Sequence, residues 1–240
     1  MSQIPPLFQR EFLGYFRTPV AYVFLAVFLL ASVGLTFFVS QFFKAGNASL
    51  EGYFVWHTWL FVFFAPAAGM RLWAEERRSG TLELLFTLPV TPLEAVLAKF
   101  LAAWAFLAAG ILLSFPLALT AAWLGDPDWG VIAASYFGSI LMAGAYLAVC
   151  SLMSALTRNQ VVGFVLGLFV NLVLVFLGWS VFNGVLAAVF PQAVADLLAN
   201  FSHTSHFDAF TKGIVDPKDV MFFLSLGGLC LFLNVLALER

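Results

Sequence analysis

The sequence predicts an all-α polytopic membrane protein with six transmembrane helices. The prediction rests on composition, on apolar runs and on the distribution of charge. Hydrophobic residues make up 62% of the 240 residues, and charged residues make up only 10%. A soluble domain carries about 25% charged residues, so this chain has too little polar material to cover a globular surface. We therefore predict one transmembrane domain over residues 1–240.

The first 18 residues carry the pattern of a helix that lies in the membrane interface. Phe8, Phe12 and Phe16 recur at four-residue spacing, so their rings fall on one face of a helix. Two prolines just before them suit a helix start, because proline is favoured in the first turn. The pattern predicts an amphipathic interfacial helix over residues 1–18.

Apolar runs of spanning length predict six crossings joined by short polar turns. The third crossing begins at Thr91, which can cap a helix, followed by Pro92 in the first turn and by Glu94 as the capping-box acid. Pro116 predicts a kink in that span. The predicted spans are residues 20–43, 53–72, 92–124, 131–156, 161–182 and 220–238.

Residues 183–219, between the fifth and sixth spans, are too irregular for a crossing. An apolar stretch ends at Pro191 after too few residues to span a bilayer, and a second short amphipathic stretch follows it. This composition predicts an extracytoplasmic helical hairpin that is re-entrant or lies on the membrane surface.

Two glycines of the fifth span, Gly163 and Gly167, stand at small-xxx-small spacing. Small residues at this spacing let two membrane helices approach closely. We predict that both are helix-packing residues.

The basic residues predict the orientation. With six spans, both termini lie on one side, and this side also holds most of the Lys and Arg residues. Short loops rich in Lys and Arg stay in the cytoplasm, which predicts cytoplasmic termini. The basic residues on that side are Arg10, Arg17, Arg71, Arg77, Arg78, Lys99, Arg158 and Arg240, and those on the other are Lys44, Lys212 and Lys218.

The sequence offers no catalytic residues. The spans contain almost no ionisable groups near their centres, which argues against a proton- or ion-coupled carrier. No nucleophile stands near a base, and no GxxxxGK[ST] phosphate loop occurs, so the chain is not expected to hydrolyse ATP itself. We expect it to bind no cofactor and no nucleic acid.

One weak candidate for a metal site lies in the outer segment. His203 and His206 stand at i and i+3, with Asp208 close by, and histidines at this spacing can share a helix face. No third strong ligand follows at a typical spacing. The alternative is a polar, solvated helix end without a metal, which is the interpretation that the composition favours.

The densest cluster of charges lies in residues 74–90, between the second and third spans. Four consecutive charges, from Glu75 to Arg78, are followed by a mostly apolar run. Ionic groups cannot be left unpaired in hydrocarbon, so this segment lies outside the membrane. It is either a charged loop that follows the positive-inside rule or the docking element for a soluble partner. Its acids and its apolar half favour the second interpretation.

The same cluster resembles a known family. The run AEERRSGTLELL at 74–85, with LPVT at 88–91, is similar to the signature of ABC-2 type permeases, the membrane subunits of type V ABC exporters. The run SHFDAFTKGIVDPKDV at 205–220 resembles a segment of the gliding-motility (GldF-like) branch, although Lys212 and Pro217 depart from its pattern. A related branch is the permease of copper processing for nitrous oxide reductase.

The resemblance implies a transporter in a prokaryotic inner or plasma membrane, built from two permease subunits and two cytoplasmic ABC ATP-binding subunits. ATP and Mg²⁺ would then bind to the partner chain. The second permease subunit would be a copy of this chain or a related one, and membrane lipid would surround both. The resemblance implies a cytoplasmic coupling helix between spans two and three that docks on the ATP-binding subunit. The partner-coupling residues would be Glu75, Glu76, Arg77, Arg78, Gly80, Thr81, Leu82, Glu83, Leu84, Leu85, Phe86 and Pro89.

Three functions therefore compete. The first is a permease subunit that exports an unidentified, lipid-like or amphipathic substrate, with a link to gliding motility if the branch resemblance holds. The second is a structural or mechanical membrane subunit of a motility or secretion assembly with no translocated cargo. The third, an integral membrane enzyme that acts on lipid, lacks the necessary cluster of polar residues.

Overall fold

The structure is a computed structural model that describes residues 3–40, 49–82, 87, 90–189 and 191–239. Helices form all the regular structure of these residues, and a π-helical turn, Leu35–Val39, continues the second helix. In chain order the helices are α1 (Ile4–Phe16), α2 (Pro19–Gly34), α3 (Glu51–Gly69), α4 (Ala74–Ser79), α5 (Pro92–Leu112), α6 (Phe115–Leu124), α7 (Trp129–Ala155), α8 (Gln160–Phe176), α9 (Ser180–Val189), α10 (Gln192–Ala199), α11 (His203–Thr211) and α12 (Pro217–Leu238).

Within the described ranges, five helical segments are long and apolar enough to cross a membrane, so the chain is a multi-pass membrane protein. They are Pro19–Val39, Glu51–Ser79, Pro92–Leu124, Trp129–Ala155 and Pro217–Leu238. The predicted fifth span corresponds to α8, which has 17 residues and falls just below this length criterion. At 1.5 Å per residue α8 reaches about 25 Å, slightly short of a typical hydrocarbon core of about 30 Å.

The longest helix, α7, is the centre of the bundle. It packs against α3, α5, α8, α11 and α12. Its small residues, among them Ala143 and Gly144, are buried and let these neighbours approach closely. Most of the other membrane-spanning helices therefore pack against α7.

Polar side chains of α7 join it to the helices around it. Ser139 Oγ lies 2.8 Å from His57 Nδ1 of α3, and the Tyr146 hydroxyl donates to the Thr58 carbonyl at 3.0 Å. Ser135 Oγ donates to the Phe210 carbonyl of α11 at 3.1 Å. Each bond satisfies a polar group that hydrocarbon would leave unpaired.

The third span starts as predicted, but it is made of two helices and not of one kinked helix. The Thr91 hydroxyl accepts from the Glu94 N–H at 3.3 Å, and the Glu94 carboxylate accepts from the Thr91 N–H at 3.1 Å, which completes the capping box. Instead of one kinked helix over 92–124, the span contains two helices that meet at Leu113–Ser114. The break precedes Pro116, since proline cannot supply the N–H that a continuous helix needs there.

The predicted boundaries of the fifth span and of the hairpin are wrong. The fifth span was expected to reach residue 182, but α8 ends at Phe176 and a new helix, α9, begins at Ser180. The segment after it contains α9, α10 and also α11, where two short helices were expected. At the break, Gly178 sits against Ser202, and a Cβ added to this glycine would lie 2.3 Å from Ser202 Oγ.

Both ends of the described chain lie at the same end of the bundle. The Gln3 N–H donates to Glu94 at 3.0 Å, which fixes α1 beside the start of α5. Near the other terminus, the Ala237 carbonyl accepts from Arg77 of α4 at 2.7 Å. The helix of the charged segment, α4, therefore lies at the end that holds α1 and the last turn of α12. The predicted first span reached residue 43, and its last part, like Lys44, lies outside the described residues.

Candidate functional site

The charged segment forms a short helix, α4, that turns away from the end of α3. The chain leaves α3 at Gly69, passes through a turn, and buries the Trp73 side chain completely before α4 begins. After Ser79 the helix ends at Gly80, whose φ of 72° lies in the left-handed region. Glycine takes this conformation without the steric cost that a Cβ imposes, so Gly80 lets the chain turn at the end of α4.

The turn before α4 is held by one serine of α7. Ser154 Oγ accepts from the N–H groups of Trp73 and Ala74, each at 3.1 Å, and donates to the Met70 carbonyl at 2.9 Å. Both N–H groups belong to the start of α4, where a helix has donors without partners of its own. The serine therefore fixes the position and direction of α4 relative to α7.

A second serine of α7 links this turn to α12. Ser151 Oγ accepts from the Trp73 indole N–H at 3.3 Å and from the Asn234 side-chain amide at 2.6 Å. All three side chains are buried. Ser151 thus connects Trp73 to α7 directly and to α12 through Asn234.

Removal of the Ser154 hydroxyl tests this fixation. The Ser154→Ala variant leaves the buried N–H groups of Trp73 and Ala74 without their acceptor, which we expect to cost about 2 kcal/mol of stability. Thermal unfolding in detergent measures the loss. Ser225→Ala is the matched control, because the exposed Ser225 hydroxyl donates only to a carbonyl of its own helix. Equal melting temperatures for the two variants would contradict the assigned role of Ser154.

Charges at the base of α4 meet at one lysine. Lys99 Nζ of α5 lies 2.8 Å from Glu76 Oε1 and 3.6 Å from Glu11 Oε2 of α1, and 5.4 Å from the centre of the Trp73 ring. Only 9% of the Lys99 side chain is exposed, against 19% for Glu76 and 24% for Glu11. The ammonium thereby joins α1, α4 and α5 through one buried charge.

The four consecutive charges divide into an inward pair and an outward pair. Glu76 binds Lys99, and Arg77 donates to the Ala237 carbonyl of α12. Glu75 and Arg78 are exposed and form no ion pair with another described residue. The inward pair holds the helix in place, and the outward pair is free to meet another molecule.

The remaining predicted coupling residues continue this exposed surface or lie outside the described residues. Thr81 is exposed, with its hydroxyl 2.8 Å from that of Ser79, and Leu82 is half-buried. The surface formed by Arg78, Ser79 and Thr81 is called the α4 face below. Outside the described residues lie Glu83, Leu84, Leu85, Phe86 and Pro89.

The two glycines predicted for helix packing lie on the buried face of α8, against α7. A Cβ added to Gly163 would come within 3.5 Å of the Ser154 Cα, and one added to Gly167 would come within 3.4 Å of the Cys150 Cα. Asn171, one turn further, donates to Cys150 Sγ at 3.1 Å. Both glycines thus lie where α8 comes close to the backbone of α7.

The histidine segment does not bring its three candidate ligands together. His206 lies 2.6 Å from Asp219 through Nδ1 and 2.8 Å from the Asn200 carbonyl through Nε2, whereas Asp208 pairs with Lys212 at the surface. No group of three or more potential metal ligands occurs among the described residues. The expectation of a solvated helix end is wrong for both histidines, because each is buried.

His203 packs among aromatic rings without a hydrogen bond to either nitrogen from the described chain. Its ring stacks on Tyr146 of α7 with a centroid distance of 4.1 Å. Burial, with a smaller contribution from His206, lowers the pKa of His203 to about 3. The ring is therefore neutral at neutral pH and serves as an apolar contact between α11 and α7.

Sequence reasoning did not identify Lys99, Ser151 or Ser154 as site residues. Lys99 was counted only as a basic residue near the start of a span. The two serines stand at i and i+3 near the end of the fourth span, a spacing that places both on one helix face. That spacing is the sequence feature that could have identified the two serines as a pair.

The comparisons with known proteins give one match. A family model described as ABC-2 family transporter protein matches residues 53–240. The search of curated proteins returned no match for this chain. The matched part contains α4 together with Lys99, Ser151, Ser154 and Ala237, which hold it, while Glu11 of α1 precedes it.

Proposed function

The chain belongs to the ABC-2 transporter family, and we propose that its α4 couples it to the ATP-driven motion of a separate subunit. It is a membrane permease component of an ABC transporter, and permeases of this family are generally non-catalytic and work with an ATP-binding subunit. The observation that carries the proposal is that α4 is fixed on one side by buried contacts and exposes charges on the other.

The contacts of α4 suit the transmission of force. Lys99 connects it to α5 and α1, Ser154 connects it to α7, and the Ala237 carbonyl connects it to α12. A force applied to the α4 face would therefore be transmitted to three spans, those of α5, α7 and α12. Rigid elements with more than one discrete arrangement are the means by which such a push becomes a change of conformation.

The position of the chain ends supports six crossings with both termini on the side of α4. Residues near α4 at both ends of the described chain support an even number of crossings. The segments α2, α3, α5–α6, α7 and α12 supply five, and α8 would supply the sixth. Because most basic residues fall at the α4 end, the positive-inside rule places that end in the cytoplasm, where ATP-binding subunits operate.

We further propose export of an amphipathic or lipid-like substrate by a complex with a second permease subunit, identical or related. The spans are overwhelmingly apolar, which suits such a substrate better than an ion. In Pro19–Val39 and in Pro217–Leu238, only 22% of the most apolar stretch is buried inside the protein. These two segments leave surface for the second subunit and for lipid. A link to gliding motility is supported only by the likeness of residues 205–220 to that branch.

Reversal of charge on the α4 face tests the proposal. In the Arg78→Glu variant, we expect the affinity for the ATP-binding subunit to fall about tenfold or more, because a charged interface contact is replaced by a repulsive one. Arg17→Glu is the control, since Arg17 is also exposed but follows the end of α1 and is not part of the α4 face. Quantitative co-purification of the partner measures both.

Two results would contradict this assignment. Equal amounts of partner with both variants would show that the α4 face does not take part in docking. A loss of the partner with Arg17→Glu alone would place the docking surface on α1 instead. Membrane insertion, measured by the amount of monodisperse protein in detergent, should be unchanged in both variants because both side chains are exposed.

A further inference from the structure

A charged cavity lies between α1 and the junction of α3 with α4. Its volume is about 300 Å³, and its walls include Glu11, Tyr15, Arg71, Glu75 and Lys99. Thr18 also lines it, at the point where the interfacial helix has ended and the first span begins at Pro19. The cavity therefore lies at the depth where lipid headgroups meet the spans.

Two charges of opposite sign in this cavity have no ion-pair partner in the described chain. Lys99 is held by Glu76 and Glu11, and Arg10 is also paired with Glu11. Arg71 and Glu75 form no ion pair with another described residue. They are four residues apart at the wall of the cavity, so the cavity offers one free cation and one free anion to a ligand.

An apolar groove lies near the charged cavity along the chain. Its volume is about 370 Å³, and aliphatic and aromatic side chains of α2 and α3, including Val20, Val23 and Ala67, form most of its lining. Val20 follows Thr18 by two residues, and Ala67 precedes Arg71 by four. The groove thus starts within about one helical turn of two residues that line the charged cavity, and it runs along α2 and α3 into the hydrocarbon layer.

We propose that the cavity and the groove together form a binding site for one glycerophospholipid with a primary amine in its headgroup. The phosphate binds Arg71, the ammonium binds Glu75, and an acyl chain lies in the groove. The bilayer supplies this ligand at the right depth, and the pairing of polar cavity with apolar groove matches its two parts. The site concerns binding alone and does not depend on the proposed coupling function.

The two free charges select the headgroup. A lipid with a phosphate and no amine would leave the Glu75 carboxylate unpaired beside a second anion. A choline headgroup carries a positive charge but no N–H, so it cannot donate a hydrogen bond to Glu75. A primary ammonium supplies both the charge and the donors, and guanidinium groups such as that of Arg71 bind phosphate oxygens in a two-pronged geometry.

Native mass spectrometry of the full chain tests the site. The protein is purified from nanodiscs that contain equal amounts of phosphatidylethanolamine, phosphatidylcholine and phosphatidylglycerol, and the lipid that stays bound is counted. We expect one phosphatidylethanolamine per chain. With Arg71→Ala its retention should fall about tenfold, since a charge-assisted hydrogen bond is lost. Arg158→Ala, at an exposed arginine outside the cavity, should retain it.

Two further variants separate the headgroup from the groove. Glu75→Gln should abolish the preference for phosphatidylethanolamine over phosphatidylcholine. Val23→Trp should fill the groove and displace the lipid, whereas Leu30→Trp should not, because the exposed Leu30 of the same helix is not part of the groove lining. Equal retention of the three lipids by the native chain, or equal retention by the Arg71→Ala and Arg158→Ala variants, would overturn the proposal.

Discussion

The Lys99→Met variant is expected to lose about 3–5 kcal/mol of stability, because it leaves the Glu76 carboxylate in a largely buried position without its cation. Methionine keeps much of the length and apolar contact of the lysine side chain, so the loss of stability measures the contribution of the charge. Thermal or denaturant-induced unfolding in detergent measures it. The Arg17→Met variant serves as the control, since Arg17 is exposed and its replacement should change stability by less than about 0.5 kcal/mol.

A double variant separates the stability of the ion pair from its function. Replacing a buried ion pair by neutral groups is often neutral or stabilising, so Lys99→Met combined with Glu76→Gln should recover most of the lost stability. Glu11 keeps Arg10 as its partner in this variant. If Lys99 also transmits motion from α4 to α1, ATP hydrolysis by the complex should stay uncoupled from substrate in the double variant. Full stability of Lys99→Met alone would contradict the buried contact.

The second large effect is expected at Gly138, where α7 meets α11. A Cβ at this position would lie 2.5 Å from Cγ and 2.7 Å from Cβ of Phe210, distances that side chains do not tolerate. Because both atoms lie close to the α11 backbone, the ring cannot simply rotate away. We expect Gly138→Ala to cost about 1–3 kcal/mol and to displace α11.

The control for Gly138→Ala is Gly34→Ala. A Cβ on Gly34 meets no heavy atom within 4 Å, so alanine there should be neutral or add up to about 1 kcal/mol through its better helix propensity. The same glycine-to-alanine change is thus expected to lower stability at position 138 but not at position 34. Histidine modification gives a second readout, because the chain has three histidines and all of them are buried. Gly138→Ala should expose His203 and His206 to the reagent, and protection equal to that of Gly34→Ala would contradict the displacement.

Features set by neighbouring residues could be predicted from the sequence. The capping box of Thr91 and Glu94 and the positive φ at Gly80 follow from local chemistry. The composition of the apolar runs was enough to indicate a multi-pass helical membrane protein. The family assignment depended on the charged segment 74–90, which lies within the part of the chain that the family model matches.

Features set by distant residues could not be predicted. Lys99 and Glu11 are 88 positions apart in the chain, and no local sequence pattern near either residue predicts their contact. Ser154 looked like a small polar residue at the end of a span, and its part in fixing α4 appears only once α3 and α7 are packed together. His203 and His206 lie in a polar stretch, yet rings from α7 and α12 bury them.

The division of the four charges also changes how the segment is interpreted. The sequence alone treated Glu75 to Arg78 as one surface that a partner would bind. In the structure, Glu76 and Arg77 are occupied by contacts within the chain, and Glu75 and Arg78 remain exposed. Substitution of Glu76 therefore perturbs the support of α4 before it perturbs any partner, and Arg78 is the better residue for a test of docking.

Site-specific photo-cross-linking tests the central claim most directly. A photoreactive amino acid is introduced at Ser79 on the α4 face, and at Asp126 in the exposed turn at the opposite end of the bundle as a control. The account predicts that irradiation of the intact complex joins position 79 to an ATP-binding subunit, identified by mass spectrometry, and that position 126 yields no such product. If the ATP-binding subunit co-purifies but forms no product with position 79, α4 is not the coupling element.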